Sequence, residues 1–222
     1  MDKVRKPLRI AVLGASGRVG RVVIAEALSR GHRVTAVARS AEGLERVEGA
    51  TRVTADVLDP VALRRAVSGH DAVIAALAGR GPQAARTVPE ATAVLLDVLP
   101  GCRVGRLLTI GGGATLEVAP GRRFLDDPHF PEAYREAALA AAEALDVLRR
   151  FRGDLPRWSY FSPPPLHLTD GPRTGVFRVA ATDRPIVDIA GESRLSVADL
   201  ACAVLDAVEQ GGFIGERFTA AY

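Results

Sequence analysis

Cysteine, lysine and long apolar runs are all scarce in this chain, and each scarcity closes off a class of function. The two cysteines, Cys102 and Cys202, stand far apart with no Cys-x-x-Cys or Cys/His spacing around them. Neither a disulfide framework nor a zinc site is expected, and free thiols in a reducing compartment are the default. Lys3 and Lys6 are the only lysines, so arginine carries almost all of the positive charge. The pairs Arg64-Arg65, Arg122-Arg123 and Arg149-Arg150 are isolated, and no basic block forms an arm for nucleic acid. The longest apolar runs are strand-sized, too short to span a bilayer. No nucleic-acid or membrane partner is therefore expected. The charged stretch from Met1 to Pro7 precedes an apolar run too short for a secretion signal, so the expected location is the cytoplasm. Internal repeats and low-complexity stretches are absent too.

What is present suits a globular enzyme-sized chain: 222 residues, 48% hydrophobic and 25% charged, with a net charge of +3. That length supports one domain with a full core, spanning 1–222. Strands and helices alternate from the start. Residues 8–13 form a short apolar run ending in glycine, the pattern of a buried parallel strand. In residues 18–29 the apolar positions Val19, Val22, Val23, Ala27 and Leu28 recur at helical spacing, and Gly31 stands where a helix-terminating glycine belongs. Further strands are expected at 33–38, 51–55, 71–76, 105–110 and 158–161, with helices from Asp59-Pro60 and over 84–99 and 132–151. This alternation predicts an α/β fold, a Rossmann-type doubly wound parallel sheet in three layers. Past Ser162 the texture changes: Pro163-Pro164-Pro165 and Gly171-Pro172 break the chain. Two short β-like runs (176–179 and 186–189) and a helix over 196–209 follow, so 162–222 is read as partly forming a small substrate-side lobe.

Strand, glycine turn and helix follow in immediate succession at Gly14-Ala15-Ser16-Gly17-Arg18-Val19-Gly20, as a pyrophosphate site requires. Gly14 lets the chain turn sharply, Gly17 lets backbone approach the phosphates, and Gly20 lets the helix pack close to the sheet. The helix N-terminus adds unpaired N–H groups and a favourable dipole. The GxxGxxG spacing is one residue longer than the general fingerprint, and its context of strand and helix is what makes it informative. A nicotinamide dinucleotide is expected here.

Sites that prefer NAD carry an acid at the end of the second strand, to hold the ribose 2′-hydroxyl. Here that strand ends Val37-Ala38-Arg39-Ser40. Arg39, with Arg18 inside the turn, suits a 2′-phosphate, so NADP(H) is the expected cofactor. The competing reading makes both arginines solvated surface residues. Asp56-Val57 closes the third strand, where the carboxylate either accepts from the adenine amino group or caps the next turn, and Val57 would pack on the ring. The small residues of Ala75-Ala76-Leu77-Ala78-Gly79 leave room for cofactor against backbone, or serve sheet–helix packing.

The GASGRVG turn, Arg39 and Asp56 resemble the atypical, extended-like short-chain dehydrogenase/reductase superfamily. The segment from Leu107 to Glu117 (LLTIGGGATLE) is similar to the glycine-rich strand-five exit of its NAD(P)H-binding group, often called NADH-flavin reductases. So are Phe130-Pro131-Glu132-Ala133-Tyr134, Trp158-Ser159-Tyr160-Phe161-Ser162-Pro163-Pro164, Arg173-Thr174-Gly175 and the closing Arg217-Phe218-Thr219-Ala220-Ala221-Tyr222. The group shades into biliverdin/flavin reductases and NmrA-like dinucleotide sensors. The resemblance spans almost the whole chain and implies a Rossmann fold with nicotinamide across the strand ends. It does not imply one substrate. The cofactor-binding set expected is Gly14, Ser16, Gly17, Arg18, Val19, Gly20, Arg39, Asp56, Val57, Ala76 and Leu77, with Thr109 and Gly111 at the strand-five exit.

The superfamily's proton-transfer engine is a Tyr-x-x-x-Lys pair on the fifth helix with a serine at the end of strand five. Tyr134 begins the corresponding helix, but Ala138 stands four residues on and no lysine follows Lys6. Gly111-Gly112-Gly113 fills the serine's place. Tyr134 thus lacks the partner that would tune its acidity, and packing at a helix start is its competing role. Among the histidines, His32 and His70 fall at strand starts and read as structural. His129 and His167 fall in loops on the presumed active-site side, where either can donate a proton or simply face solvent. Tyr134 and His129 are carried forward as catalytic candidates.

A carbonyl reductase must protonate the alkoxide it makes, whereas a conjugated acceptor can take its proton from solvent. The expected activity is therefore NADPH-dependent hydride transfer to a flavin-, bilin- or quinone-like small molecule. The alternatives are a non-catalytic NADP(H)-sensing regulator and an epimerase or dehydratase acting on a biosynthetic intermediate. The acceptor is expected between residues 111–115, Tyr134 and an overhanging 163–173 loop. The small helix face of Ala137, Ala141, Ala142 and Leu145 suits packing on the sheet or against a second subunit, which leaves a homo-oligomer open.

Overall fold

The computed structural model describes residues 6–78 and 82–222, with 82–85 as backbone. In chain order its elements are β1 (Arg9–Leu13), α1 (Arg18–Ser29), β2 (Arg33–Ala38), β3 (Thr51–Thr54), α2 (Pro60–Val67), β4 (Ala72–Ala75) and α3 (Pro82–Gly101). There follow β5 (Arg106–Ile110), β6 (Glu117–Ala119), β7 (Arg122–Arg123), α4 (Glu132–Arg150), β8 (Arg157–Phe161) and β9 (His167–Thr169). The last are β10 (Arg178–Ala181), β11 (Arg194–Ser196), α5 (Val197–Gln210) and β12 (Glu216–Ala221).

Eight strands form the main sheet in the order β3-β2-β1-β4-β5-β8-β12-β10. All neighbours run parallel except β10, which pairs antiparallel with β12 at the edge. The order reverses between β1 and β4, which makes the crevice at their C-terminal ends the topological switch point of a doubly wound Rossmann fold. Alternation along β1 shows why its sequence is apolar from Ile10 to Leu13. Ile10 and Val12 join one core with α1 and α5, while Ala11 and Leu13 join the other with α2, α3 and α4. Helices on both faces give the three layers.

Local chemistry sets the helix ends. Gly31 (φ +80°) leaves α1 in the left-handed region, and its N–H donates to Leu28 O while His32 N–H donates to Ala27 O. Asp59 caps α2, accepting from Val61 N–H and Ala62 N–H at 2.9 and 3.2 Å.

The last third departs from expectation. The strand expected at 176–179 begins at Arg178, and residues 186–189 form no strand. Asp188 sits inside that apolar run and accepts from Ala190 N–H and Glu192 N–H, closing a turn instead. Beyond Ser162, α5, β12 and β10 belong to the main layers. The segments between them carry the small parallel pair β9–β11. Among the described residues, no helix is long and apolar enough to cross a membrane.

Candidate functional site

At the switch point the glycine turn is held by its neighbours. Ala15 N–H donates to Val37 O at 3.2 Å, and Ala76 N–H donates to Leu13 O at 3.0 Å, which ties the turn to β2 and to the exit of β4. Gly14 has φ +77°, and a Cβ there would stand 2.3 Å from Ala76 O, so both backbone conformation and space require glycine. A Cβ at Gly20 would stand 2.3 Å from Gly14 O, so its absence lets α1 seat directly on the turn. Gly17 precedes α1 with extended backbone, no side chain caps the helix, and its first turn holds no acid. Its first amide N–H groups and the positive end of its dipole are left for an external anion.

Beside that helix start lies a cleft of about 170 Å³. Gly14, Ser16 and Gly17 form one wall, the ends of β2 and β3 contribute Val37, Ala38, Arg39, Ala55 and Val57, and Ala76, Leu77, Ala78, Thr87 and Val88 complete it. Its walls are mostly apolar or backbone, and Arg39 is its one charged lining residue among those described. A polyphosphate at the amides with a flat ring between Ala55, Val57 and Val88 matches this division of chemistry.

Seven of the residues expected to bind cofactor line this cleft: Gly14, Ser16, Gly17, Arg39, Val57, Ala76 and Leu77. The others lie elsewhere. Arg18 points its Nε and Nη2 at Asp170 Oδ1, 3.0 and 2.7 Å away. Val19 packs on the α1–α5 core, and Gly20 lies buried under the turn. Asp56 is exposed and accepts from Leu58 N–H at 3.0 Å, the turn-capping alternative. Gly79 lies outside the described residues. Thr87 and Val88 went unforeseen, since they belong to α3 and only the fold brings them to the β1–β4 crevice.

The strand-five exit is filled from within. A Cβ at Gly111 would fall 1.8 Å from Tyr160 Cζ, because the ring of Tyr160, from the neighbouring strand β8, lies over it. The Tyr160 hydroxyl donates to Ala141 O at 2.8 Å and accepts from Gly112 N–H at 3.3 Å. Burial pushes its pKa up to about 12. Gly113 in turn lets the backbone of Pro163–Pro165 cross closely above it. Thr109 is buried one residue pair away, next to Ala75 and Tyr160 in register.

Tyr134 is the third residue of α4 and is 65% exposed. His129 is almost wholly exposed, its Nδ1 at 3.3 Å from Asp127. His32 accepts from Leu8 N–H and faces Glu209 at 2.9 Å, and His70 bridges Val67 O and Thr35 Oγ1, both at the opposite end of the sheet. His167 stands 3.5 Å from Glu192. On α4, Ala141 and Leu145 are buried within the chain and Ala142 is half-buried, while Ala137 is exposed.

The segment after the prolines spans the site and is tied down beyond it. Arg173 donates to both Glu26 oxygens at 2.8 and 3.0 Å. Burial would raise the Glu26 pKa, but hydrogen bonds from Arg173 and Arg30 hold it at about 2. Asp199, fully buried, accepts from Thr174 N–H and Oγ1–H, Gly175 N–H and the Tyr222 hydroxyl. These bonds tie Arg173-Thr174-Gly175 to α1, to α5 and to the closing Tyr222.

Comparisons with known proteins point to the same fold and to a nicotinamide-binding family. A family described as NAD(P)H-binding matches residues 14–208. The uncharacterised protein YwnB of Bacillus subtilis is 35% identical over 214 residues, covering 96% of this chain and 97% of that protein. A solved structure of a candidate NADH-flavin reductase from Streptococcus pneumoniae TIGR4 is 30% identical, with a TM-score of 0.83 over 96% of this chain and 99% of that one. A candidate epimerase from Bacteroides thetaiotaomicron is 35% identical, with a TM-score of 0.85 over 98% of each chain. With its glycine turn at the switch point of a Rossmann sheet, this chain belongs to the NAD(P)H-binding family, in keeping with the resemblance to the atypical short-chain dehydrogenase/reductase group.

Proposed function

We propose that the chain is an NADPH-dependent reductase that passes hydride to a conjugated small-molecule acceptor of flavin, bilin or quinone type. The observation that carries this reading is the strand-five exit. Where a carbonyl reductase needs an acidic hydroxyl, Tyr160 covers Gly111 and spends its own hydroxyl on Ala141 O and Gly112 N–H. Tyr134 is exposed, with Ala138 in place of a partner lysine. A site with this composition favours an acceptor whose charge is delocalised and whose proton comes from water. When bound, a dihydronicotinamide supplies the hydride. The chain's own part is to hold the phosphates at the α1 amides, seat the adenine against Ala55 and Val57, and position the acceptor by contact.

The choice of NADPH over NADH is supported by Arg39 at the rim of a cleft that carries no acid among its described lining residues. A regulator that binds NADP(H) without turnover is a second reading, favoured by the same want of a lysine-partnered tyrosine among the described residues. The two separate on one experiment, in which purified protein is mixed with NADPH and a panel of flavins and quinones and cofactor absorbance is followed. Oxidation with at least one acceptor is expected. Tight NADPH binding with no oxidation by any acceptor would replace the reductase with the regulator.

A further inference from the structure

The pairing of Arg18 with Asp170 joins two parts of the site that the sequence keeps 152 positions apart. Arg18 is the first residue of α1, directly after the glycine turn, and Asp170 follows β9 in the segment that leaves the proline run. Asp170 thereby pairs its carboxylate with the first residue of a helix whose start has no acid of its own and no side-chain cap. That is the place where an anion is most favoured.

The bond is weak compared with the others holding the segment. Both side chains are solvent-exposed, 48% for Arg18 and 89% for Asp170. Both guanidinium donors converge on a single oxygen, Oδ1, so the parallel two-oxygen fork that suits arginine is not formed. On either side the segment is fixed more firmly. Pro163–Pro165 cross closely over Gly113 before it, and Arg173 and Thr174 bind the buried Glu26 and Asp199 after it. The middle, with Leu166 64% exposed, is held by the pairing of β9 with β11, by Leu168 against the core, by His167 beside Glu192 and, at its far end, by the exposed Arg18 contact.

We propose that Asp170 is a stand-in anion that a cofactor phosphate displaces from Arg18, so that cofactor binding unlatches residues 166–171 and opens the acceptor side of the site. This rests on the cleft being a dinucleotide site. A phosphate offers Arg18 two parallel oxygens where Asp170 offers one, and it carries more negative charge. Displaced, Asp170 faces an anion and is repelled. The order of binding follows: cofactor first, acceptor second.

The test combines nicotinamide-fluorescence titration with hydrogen exchange of residues 166–171, in wild type, Asp170→Asn and Arg18→Gln. In wild type, NADPH is expected to speed exchange across 166–171. Asp170→Asn is expected to show that fast exchange without cofactor and to bind NADPH up to about fivefold tighter, the limit for an exposed ion pair. Arg18→Gln is expected to exchange fast as well but to bind NADPH more weakly. An NADH arm identifies the displacing group: the pyrophosphate if NADH also speeds exchange, the 2′-phosphate if only NADPH does. NADPH binding that leaves exchange at 166–171 unchanged, or Asp170→Asn binding NADPH no tighter than wild type, overturns the latch and spares the cleft. No NADPH binding by wild type overturns the cleft reading itself.

Discussion

On the β1–β2 side of the crevice, backbone amides at a helix start and the Arg39 guanidinium border open space. On the β5–β8 side, the Tyr160 phenol in the equivalent position is turned inward and already bonded, to Ala141 O and Gly112 N–H, and packs onto Gly111. The same sheet thus keeps one end ready to receive a charged ligand and uses the other end's phenol as internal packing. Under the proposed function, the difference teaches that cofactor binding and proton transfer are separable on this fold. A backbone cradle depends on glycines and a helix end, while proton transfer depends on a few side chains that can be lost without harm to the sheet.

Mutations can break or sharpen that contrast. The largest effect is expected at Gly14. Gly14→Ala meets left-handed backbone and the Ala76 carbonyl together, and it should cost about 2–4 kcal/mol of stability and abolish detectable NADPH binding. Chemical denaturation and cofactor titration check both. A folded Gly14→Ala variant with unchanged affinity would mean that the turn is not the cradle.

Arg39→Ala comes next. Loss of one charge-assisted phosphate contact should cost roughly 1.5–3 kcal/mol, or about ten- to a hundredfold in NADPH affinity, with NADH affinity little changed. Equal weakening of both cofactors would remove the case for NADPH.

Glu26 tests the anchoring of the segment beyond the site. Its pKa is lowered from 4.5 to about 2 in the folded chain. Its contribution to stability is therefore complete above the unfolded value near 4.5 and is lost as pH falls toward about 2. Glu26→Gln should lower stability at neutral pH by about 1.5–3 kcal/mol, the range for hydrogen bonds to charged groups, and should flatten the acid limb of the stability profile. An unchanged acid limb would show that other carboxylates set it.

Much of the β1–α1 side of the cleft was legible because its local structure is set by nearby residues. The glycine turn, the bounds of α1 and the Asp59 cap depend on residues within a few positions of one another. What was not legible is non-local. Thr87 and Val88 reach the cleft only through the placement of α3, and Asp170 reaches Arg18 only because the chain returns across the strand ends. Tyr160 meets Gly111 through the register of β5 and β8, which no spacing in one sequence displays. The triple glycine at 111–113 read as a missing serine, and the structure adds that tyrosine ring and proline backbone occupy the space. In the last third, the β-like run at 186–189 resembles a strand in sequence, but Asp188 turns the backbone there instead.

The smallest expected effect is also the most direct test of the central claim, that the chain binds cofactor without supplying the proton. With the best acceptor from the flavin and quinone panel, the NADPH oxidation rate of Tyr134→Phe is predicted to stay within about threefold of wild type, far below the 10²–10⁴-fold typical of general acid catalysis. A loss of about a hundredfold or more, at unchanged NADPH affinity, would make Tyr134 the proton donor and contradict the account.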